Sequence, residues 1–262
     1  MFAGLGDIAA EGVLLLGAGR AILLQIANPS VGRGVAEHST FTVHPLERFR
    51  ATATFLYAAV YGTPGQVAAV RRRVNRAHVP VRGANNGRRS GYSAFDPGLQ
   101  LWVVATLYDS TVAVFEKVYG PLSEEEAEVI YRDYARIGSI LQLPAGMWPP
   151  DRASFDAYWK AHLEMLEVDE DTIRVAHGLL NPRAGALPWW AAVCMPLVRL
   201  VTTGLLPEGL RASFRLPWNH RRQRLFGAFM RLLAVAYPPL PRRFRHAVKI
   251  LYLRRLDEAT GT

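Results

Sequence analysis

The sequence predicts an all-α fold, with one domain of about ten helices over residues 1–262. Two observations lead to this prediction. Apolar residues recur at intervals of three and four along most of the chain, as they do on one face of a helix, and helix-capping residues separate these segments. Alternating apolar and polar residues, which are typical of a half-buried strand, are scarce. The stretch 79–92 predicts a short β-ribbon at most.

In the first half of the chain, spacing and end signals mark three helices. A helix that ends at Gly62 is predicted by five apolar residues at intervals of three and four: Leu46, Phe49, Ala53, Leu56 and Val60. After Pro64, a second helix places Val70, Val74 and His78 on one face. Asp96-Pro97 matches an N-cap and a first helical residue, so a long helix is predicted from there to about residue 120.

The second half continues in the same way. Ser123 and Glu126 form a capping box, and the acidic side chains of that first turn suit the positive end of the helix dipole. Further helices are predicted over 154–167, 171–180, 190–203, 219–237 and 241–256. Proline and glycine separate these helices, and no internal repeat or domain boundary is evident.

The basic charge of the chain is a property of its last quarter. The 262 residues have a formal net charge of +9, and half of them are hydrophobic, which is enough for a sizeable core. Residues 1–198 hold 18 basic and 19 acidic side chains, whereas residues 199–262 hold 13 and 3. A protein that coats nucleic acid is therefore not expected, and no motif predicts a specific nucleic-acid partner. We expect this charge to be unrelated to the chemistry.

No targeting or membrane-spanning segment is predicted. The first residues lack a basic lead and include Asp7, and the apolar run over 12–27 is interrupted by Arg20. Pro196 interrupts the other apolar stretch, 189–206. The single cysteine, Cys194, excludes an intramolecular disulfide and a cysteine-cluster metal site, which suits a cytoplasmic location.

Several catalytic motifs are absent. Gly17-Ala18-Gly19 resembles part of a dinucleotide-binding turn, but Ile22 stands at the third glycine position and no strand–helix alternation follows, so nucleotide binding is not predicted. The chain has no Glu-x-x-His, His-Glu-x-x-His or Gly-x-Ser-x-Gly sequence. Helical di-iron sites, zinc-protease sites and serine-hydrolase elbows are thereby excluded.

His78 is the candidate around which a site is expected. One interpretation is a histidine at the edge of the core with a satisfied hydrogen bond. The other is an iron ligand, because a neutral imidazole among valines is suited to hold a haem between apolar walls. Arg48 and Thr52 lie one helical turn apart on the same face, so both side chains can reach one site. The alternative interpretation is an exposed arginine and a threonine whose hydroxyl bonds back to the helix.

Three residues upstream could compete with His78 for the ligand role. They are Glu37, His38 and His44. The residue pattern alone does not favour one of these residues as the ligand.

An ordered set of residues between 15 and 180 resembles the rubber oxygenase (latex clearing protein) and MpaB-type oxygenase family. The matching positions are Gly19, Arg20, Ala21, Gln25, Pro29, Val31, Gly34, Val35, His38, Ser39, Arg48, Thr52, Gly62, His78, Tyr92, Ala94, Asp96, Pro97 and Trp102. The resemblance implies a globin-like α-helical core with one haem b. In such a protein His78 would be the iron ligand, and Arg48 and Thr52 would be catalytic residues in the haem pocket.

Arg20 and His38 belong to the same family pattern, and the resemblance makes them cofactor-binding candidates. A helix-dipole partner and a cap are their alternative roles. Rubber-cleaving members place a lysine immediately before the threonine, where this chain has Ala51. Many relatives also have histidine at the positions of Asn28 and Val104. The resemblance thus implies an oxygenase that uses dioxygen or peroxide on a small or lipophilic substrate, and polyisoprene cleavage is not expected.

The basic last quarter supports an alternative function. Residues 199–262 place arginines among apolar and aromatic residues, and Trp189-Trp190 precede them. Basic amphipathic helices with aromatic residues bind anionic membrane surfaces. The alternative is a non-enzymatic helical protein that binds lipid or membrane surfaces, and peripheral membrane contact is also compatible with an oxygenase. Ordinary solvated helix faces are the remaining explanation. No oligomeric state is predicted.

Overall fold

The computed structural model describes residues 2, 4–38, 45–85 and 91–260. Within these residues it has fourteen α-helices, a 3₁₀-helix over Gly12–Gly17 and two strands. The helices are α1 (Leu5–Ile8), α2 (Ala18–Ala27), α3 (Pro29–His38), α4 (Pro45–Tyr61), α5 (Pro64–His78), α6 (Pro97–Tyr119), α7 (Glu124–Ile140), α8 (Arg152–Glu164), α9 (Glu170–Leu180), α10 (Trp189–Leu205), α11 (Glu208–Ser213), α12 (His220–Ala236), α13 (Arg242–Arg245) and α14 (Ala247–Thr260). The strands are β1 (Arg82–Gly83) and β2 (Tyr92–Ser93). The predicted all-α class is confirmed, and eleven of these helices have ten residues or more.

Helices begin where local cap signals predict them. The Thr63 hydroxyl accepts from the backbone N–H of Gln66, and the Gln66 side chain accepts from the backbone of Thr63, which closes a capping box at the start of α5. Ser123 and Glu126 make the same exchange at α7. The carboxylate of Asp96 accepts two backbone N–H groups at the start of α6. These bonds satisfy amides that a helix leaves free at its N-terminus.

The structure contains the predicted β-ribbon but not the last predicted helix. The ribbon exists: Arg82 pairs with Ser93 and Gly83 with Tyr92, antiparallel. The single helix predicted over 241–256 is wrong, because the chain breaks at His246 between α13 and α14.

A buried acid explains this break. The carboxylate of Glu11 accepts from Arg245 Nη1 at 2.6 Å, from the hydroxyl of Tyr119 at 2.7 Å and from His246 Nε2 at 3.2 Å. The break allows two consecutive residues, Arg245 and His246, to reach the same carboxylate. Since an unpaired buried charge is costly, this cluster attaches the C-terminal helices to the 3₁₀-helix and α6.

α6 is the central helix of the fold. It packs against the 3₁₀-helix, α2, α7 and α12, and Trp102 and Val104 on it are fully buried. Trp102 stacks on Trp159 and donates its indole N–H to the carbonyl of Leu24. Burial on several sides requires an apolar sequence, and this explains why α6 is long and apolar enough to cross a bilayer although more than half of its apolar window is buried inside the protein.

Two consecutive helical segments, Gly12–Ala27 and Pro29–His38, are together also long and apolar enough to cross a bilayer, but a bend of 105° separates them.

The Gly17-Ala18-Gly19 sequence lies at a helix contact. No strand of the described chain precedes it; the 3₁₀-helix leads directly into α2. A Cβ atom on Gly19 would lie 2.0 Å from the hydroxyl oxygen of Thr202 on α10. One on Gly17 would lie 3.0 Å from the carbonyl oxygen of Ser110 on α6. The two glycines therefore allow α2 to approach both helices closely.

Arg20 joins the same three helices. Its Nε donates to the carbonyl of Leu205 at 2.9 Å, its Nη1 donates to the hydroxyl of Ser110 at 2.9 Å, and it forms an ion pair with Asp109. Burial raises the pKa of Asp109, and the charge of Arg20 and its hydrogen bond oppose that increase. The arginine is thus a buried structural partner of α6 and α10.

Loss of Arg20 should therefore destabilise the fold. Arg20→Met leaves the Asp109 carboxyl buried without its cation, and we expect the free energy of unfolding to fall by about 3–5 kcal/mol. Urea unfolding followed by circular dichroism measures this change. As a control, Arg174→Met removes an exposed arginine paired with Asp171 and should cost less than about 1 kcal/mol. Equal losses for the two variants would contradict the structural role of Arg20.

Candidate functional site

A cavity of about 810 Å³ lies among α2, α3, α4, α5, α6 and α14. Apolar side chains from several helices form much of its wall: Ile22, Val31, Val35, Phe55, Val70, Val74, Val103 and Leu107. His38, Arg48, Thr52 and His78 also line it. Four of the five predicted site residues are therefore brought to one cavity, and its volume lies within the usual range of small-molecule sites.

His78 is the last residue of α5, and it lines the cavity together with Val70 and Val74 as the spacing predicts. Its imidazole is half-buried and meets the ring of Phe95 edge-on at 6.1 Å between centroids. Burial lowers the pKa of His78, and the charge of Arg48 lowers it further. The imidazole is therefore neutral at pH 7, with a nitrogen lone pair available to a ligand.

Arg48 and Thr52 lie one turn apart on α4. The hydroxyl of Thr52 donates to the backbone carbonyl of Arg48 at 3.1 Å, so it can act only as an acceptor toward a ligand. The back-bonded threonine considered from the sequence is thus present, and Thr52 is exposed. Arg48, by contrast, is half-buried, and burial lowers the pKa of its guanidinium. An arginine remains charged in proteins, so Arg48 brings a permanent cation to an apolar cavity.

His38 reaches the cavity from the C-terminus of α3. Its Nε2 lies 4.0 Å from a carboxylate oxygen of Glu37, and its ring lies 6.3 Å from that of Tyr92. The hydroxyl of Tyr92 donates to Glu37 at 2.5 Å, and burial together with this bond raises the pKa of Tyr92 to about 12. His38 is exposed and beside an acid, whereas His78 is half-buried and beside a cation. His44, the other competing histidine, lies outside the described residues, as does Ser39 of the family pattern.

Arg20, the fifth predicted site residue, does not line the cavity. Its guanidinium points to Asp109, Ser110 and the carbonyl of Leu205, so its environment is that of a buried structural cation. The helix-dipole alternative is closer to the observed role, because one of its bonds is to a carbonyl at the C-terminal end of α10.

The three positions that depart from the family pattern lie in different surroundings. Ala51 lines the cavity and contributes only a methyl group where a lysine would bring a ligand. The side chain of Asn28 accepts from the backbone N–H groups of Ser30 and Val31 at the start of α3. Val104 is fully buried in the core. The cavity thus has no added donor from any of these positions.

The C-terminal helix contributes to the cavity, which the sequence alone does not predict. Arg255 and Leu256 on α14 line the cavity, so the basic last quarter supplies one arginine to the cavity wall. α14 packs against α4 and α5, and the side chain of Gln66 donates to Asp257 at 2.9 Å. No local signal predicts this contact, because it depends on where a distant helix packs.

Further charges surround the cavity. Arg73 and Arg76, on the helix of His78, also line it, and Glu47 supplies an acid. Spacing along α5 could have identified these arginines. Within the described residues, no group of three or more His, Cys, Asp or Glu side chains could hold a metal ion.

Comparison with known proteins identifies the family of the chain. Residues 7–235 match the family model described as the catalytic domain of ER-bound oxygenase mpaB/B' and rubber oxygenase. Two curated proteins, uncharacterized protein Rv2237 of Mycobacterium tuberculosis and uncharacterized protein Mb2261 of Mycobacterium bovis, are each 40% identical to the chain over 237 residues. That match covers 88% of this chain and 92% of each relative. No solved structure matches.

The coupling between Arg48 and His78 can be tested by titration. Because a nearby cation disfavours the imidazolium, Arg48→Gln should raise the pKa of His78 toward its ordinary value. NMR titration of the histidine Cε1–H signals, assigned with His78→Gln, measures it. Arg50→Gln on the same helix is the control and should leave that pKa unchanged, since Arg50 is exposed. An unchanged pKa in Arg48→Gln would show that the two side chains are not coupled.

Proposed function

The chain belongs to the family of ER-bound oxygenase MpaB and rubber oxygenase catalytic domains, and from this we propose that it is a haem b-dependent oxygenase. Its substrate would be a small or lipophilic organic molecule, with dioxygen or peroxide as co-substrate. The observation that carries the proposal is a neutral imidazole, His78, at the edge of an apolar cavity. Haem iron is commonly held by one such imidazole.

The residues of the cavity fit a haem. An apolar macrocycle requires apolar walls, which Val70, Val74 and Val103 supply. Its two propionates require cations, and Arg73, Arg76 and Arg255 are available at the same cavity. His78 would supply the iron ligand.

When bound, the haem would supply the oxidative chemistry. The chain's own residues would set access and polarity. The Arg48 guanidinium would stabilise an anionic group in the cavity, and the Thr52 oxygen would accept a hydrogen bond from a ligand. Ala51 leaves space next to Thr52, so an external ligand could enter where a lysine side chain would otherwise bind. Since the lysine of the rubber-cleaving members is absent, we propose a substrate other than polyisoprene.

The haem proposal is tested by absorption spectroscopy. Protein purified from haem-supplemented cells should show a Soret band, and His78→Ala should lose most of it at equal protein concentration, because the iron loses its ligand. In His78→Gly, added imidazole should restore the band by replacing the missing ring. This rescue separates loss of a ligand from loss of the fold.

Two histidine variants complete the experiment. His220→Ala changes an exposed histidine on α12 and should keep the full band. His38→Ala tests the competing ligand and should also keep it. If His38→Ala loses the band while His78→Ala keeps it, the ligand assignment is wrong. If the unaltered protein carries no haem after supplementation, the cofactor proposal fails.

A further inference from the structure

α12 is an amphipathic helix with a second apolar face. Phe226 and Met230 are buried against the body of the protein. Leu225, Leu232 and Val235, spaced by seven and three residues, are 51%, 63% and 76% exposed. At 3.6 residues per turn these three lie together on the side opposite Phe226 and Met230. We name this stripe, with the arginines beside it, the outward face of α12.

The outward face carries only positive charge. Arg221, Arg224 and Arg231 are exposed and lie on or beside the apolar stripe. The helix has no acidic residue over His220–Ala236. Arg242, Arg243 and Phe244, on α13, the next helix along the chain, are also exposed.

Several basic and aromatic residues of the last quarter do not belong to the outward face of α12. Arg245 is directed inward to Glu11, and Arg255 lines the cavity. Trp218 is half-buried, donates to Gln223 and lies under the guanidinium of Arg211. The basic residues of the last quarter therefore divide into structural, cavity-lining and outward-facing groups.

We propose that the outward face of α12 docks the protein on the surface of an anionic lipid bilayer. Burial of Leu225, Leu232 and Val235 among lipid chains removes exposed apolar area from water, while the flanking arginines meet the lipid phosphates. A symmetric dimer through this face would bring together two arginine-rich helices that contain no acid, so like-charge repulsion opposes a second copy as the occupant. Trp189 and Trp190, exposed at the start of the adjacent α10, add side chains of the type found at membrane interfaces.

Vesicle co-sedimentation of the full-length chain tests this proposal. The protein should bind vesicles that contain phosphatidylglycerol and phosphatidylcholine, bind phosphatidylcholine vesicles much more weakly, and lose affinity as salt increases. Leu232→Ser should lower the partition coefficient about tenfold because it removes buried apolar area. Arg224→Gln combined with Arg231→Gln should lower it by about fivefold for each arginine.

Matched controls separate this face from general hydrophobicity and charge. Met165→Ser replaces an apolar side chain of similar exposure, 59%, at the end of α8, and it should bind as the unaltered protein does. Arg71→Gln combined with Arg72→Gln removes the same charge from an exposed part of α5 and should have a small effect.

Three results would overturn the docking proposal. They are absence of binding at low salt, equal losses in the outward-face and control variants, and a dimer in light scattering that Leu232→Ser converts to monomer. The last result would make a second copy the occupant. Vesicle binding does not depend on bound haem, so failure of either proposal leaves the other one testable.

Discussion

The buried ion pair between Arg20 and Asp109 fixes the arrangement on which the cavity depends. It joins α2 to α6, and the bond from Arg20 to the carbonyl of Leu205 adds α10. Both α2 and α6 then contribute to the cavity wall, through Ile22 and Val103 for example. A buried charge tolerates few alternative partners, since any packing that separates the pair leaves an uncompensated charge. We infer that the pair selects one orientation of α2, and the glycines beside Arg20 allow the close approach which that orientation requires.

The electrostatics of the cavity follow from that arrangement. The C-terminus of a helix ordinarily favours a charged histidine, because the helix dipole is negative there. His78 lies at such a terminus, yet burial and Arg48 both lower its pKa. Arg48, which disfavours a charged imidazole, would also favour an anionic ligand in the cavity, and Arg73, Arg76 and Arg255 would supply further cations for the propionates of the proposed haem.

Local sequence signals predict where the helices begin, whereas contacts between residues distant in sequence determine how the helices break and pack. The caps at Thr63, Asp96 and Ser123 are formed within three residues, and the predicted helix starts there are correct. The same is true of the Val70-Val74-His78 stripe, whose periodicity is local. The break at His246 could not be predicted, because its cause is Glu11 at the other end of the chain. Arg20 shows the same limit: its family position suggests a cofactor, but its burial beside Asp109 depends on tertiary packing.

For the outward face of α12, the amino-acid composition indicates a basic region, but only the structure shows which arginines are exposed. Counting arginines in residues 199–262 indicates a basic region without distinguishing Arg245, which is directed to the core, from Arg231, which is directed to solvent. Among the cations directed to solvent, Arg221, Arg224 and Arg231 lie on or beside the stripe of Leu225, Leu232 and Val235. A helix that is apolar on two opposite sides is expected to be covered on both. Phe226 and Met230 are covered by the protein itself, so the second side requires a separate partner, and its charge is the property that favours an anionic bilayer.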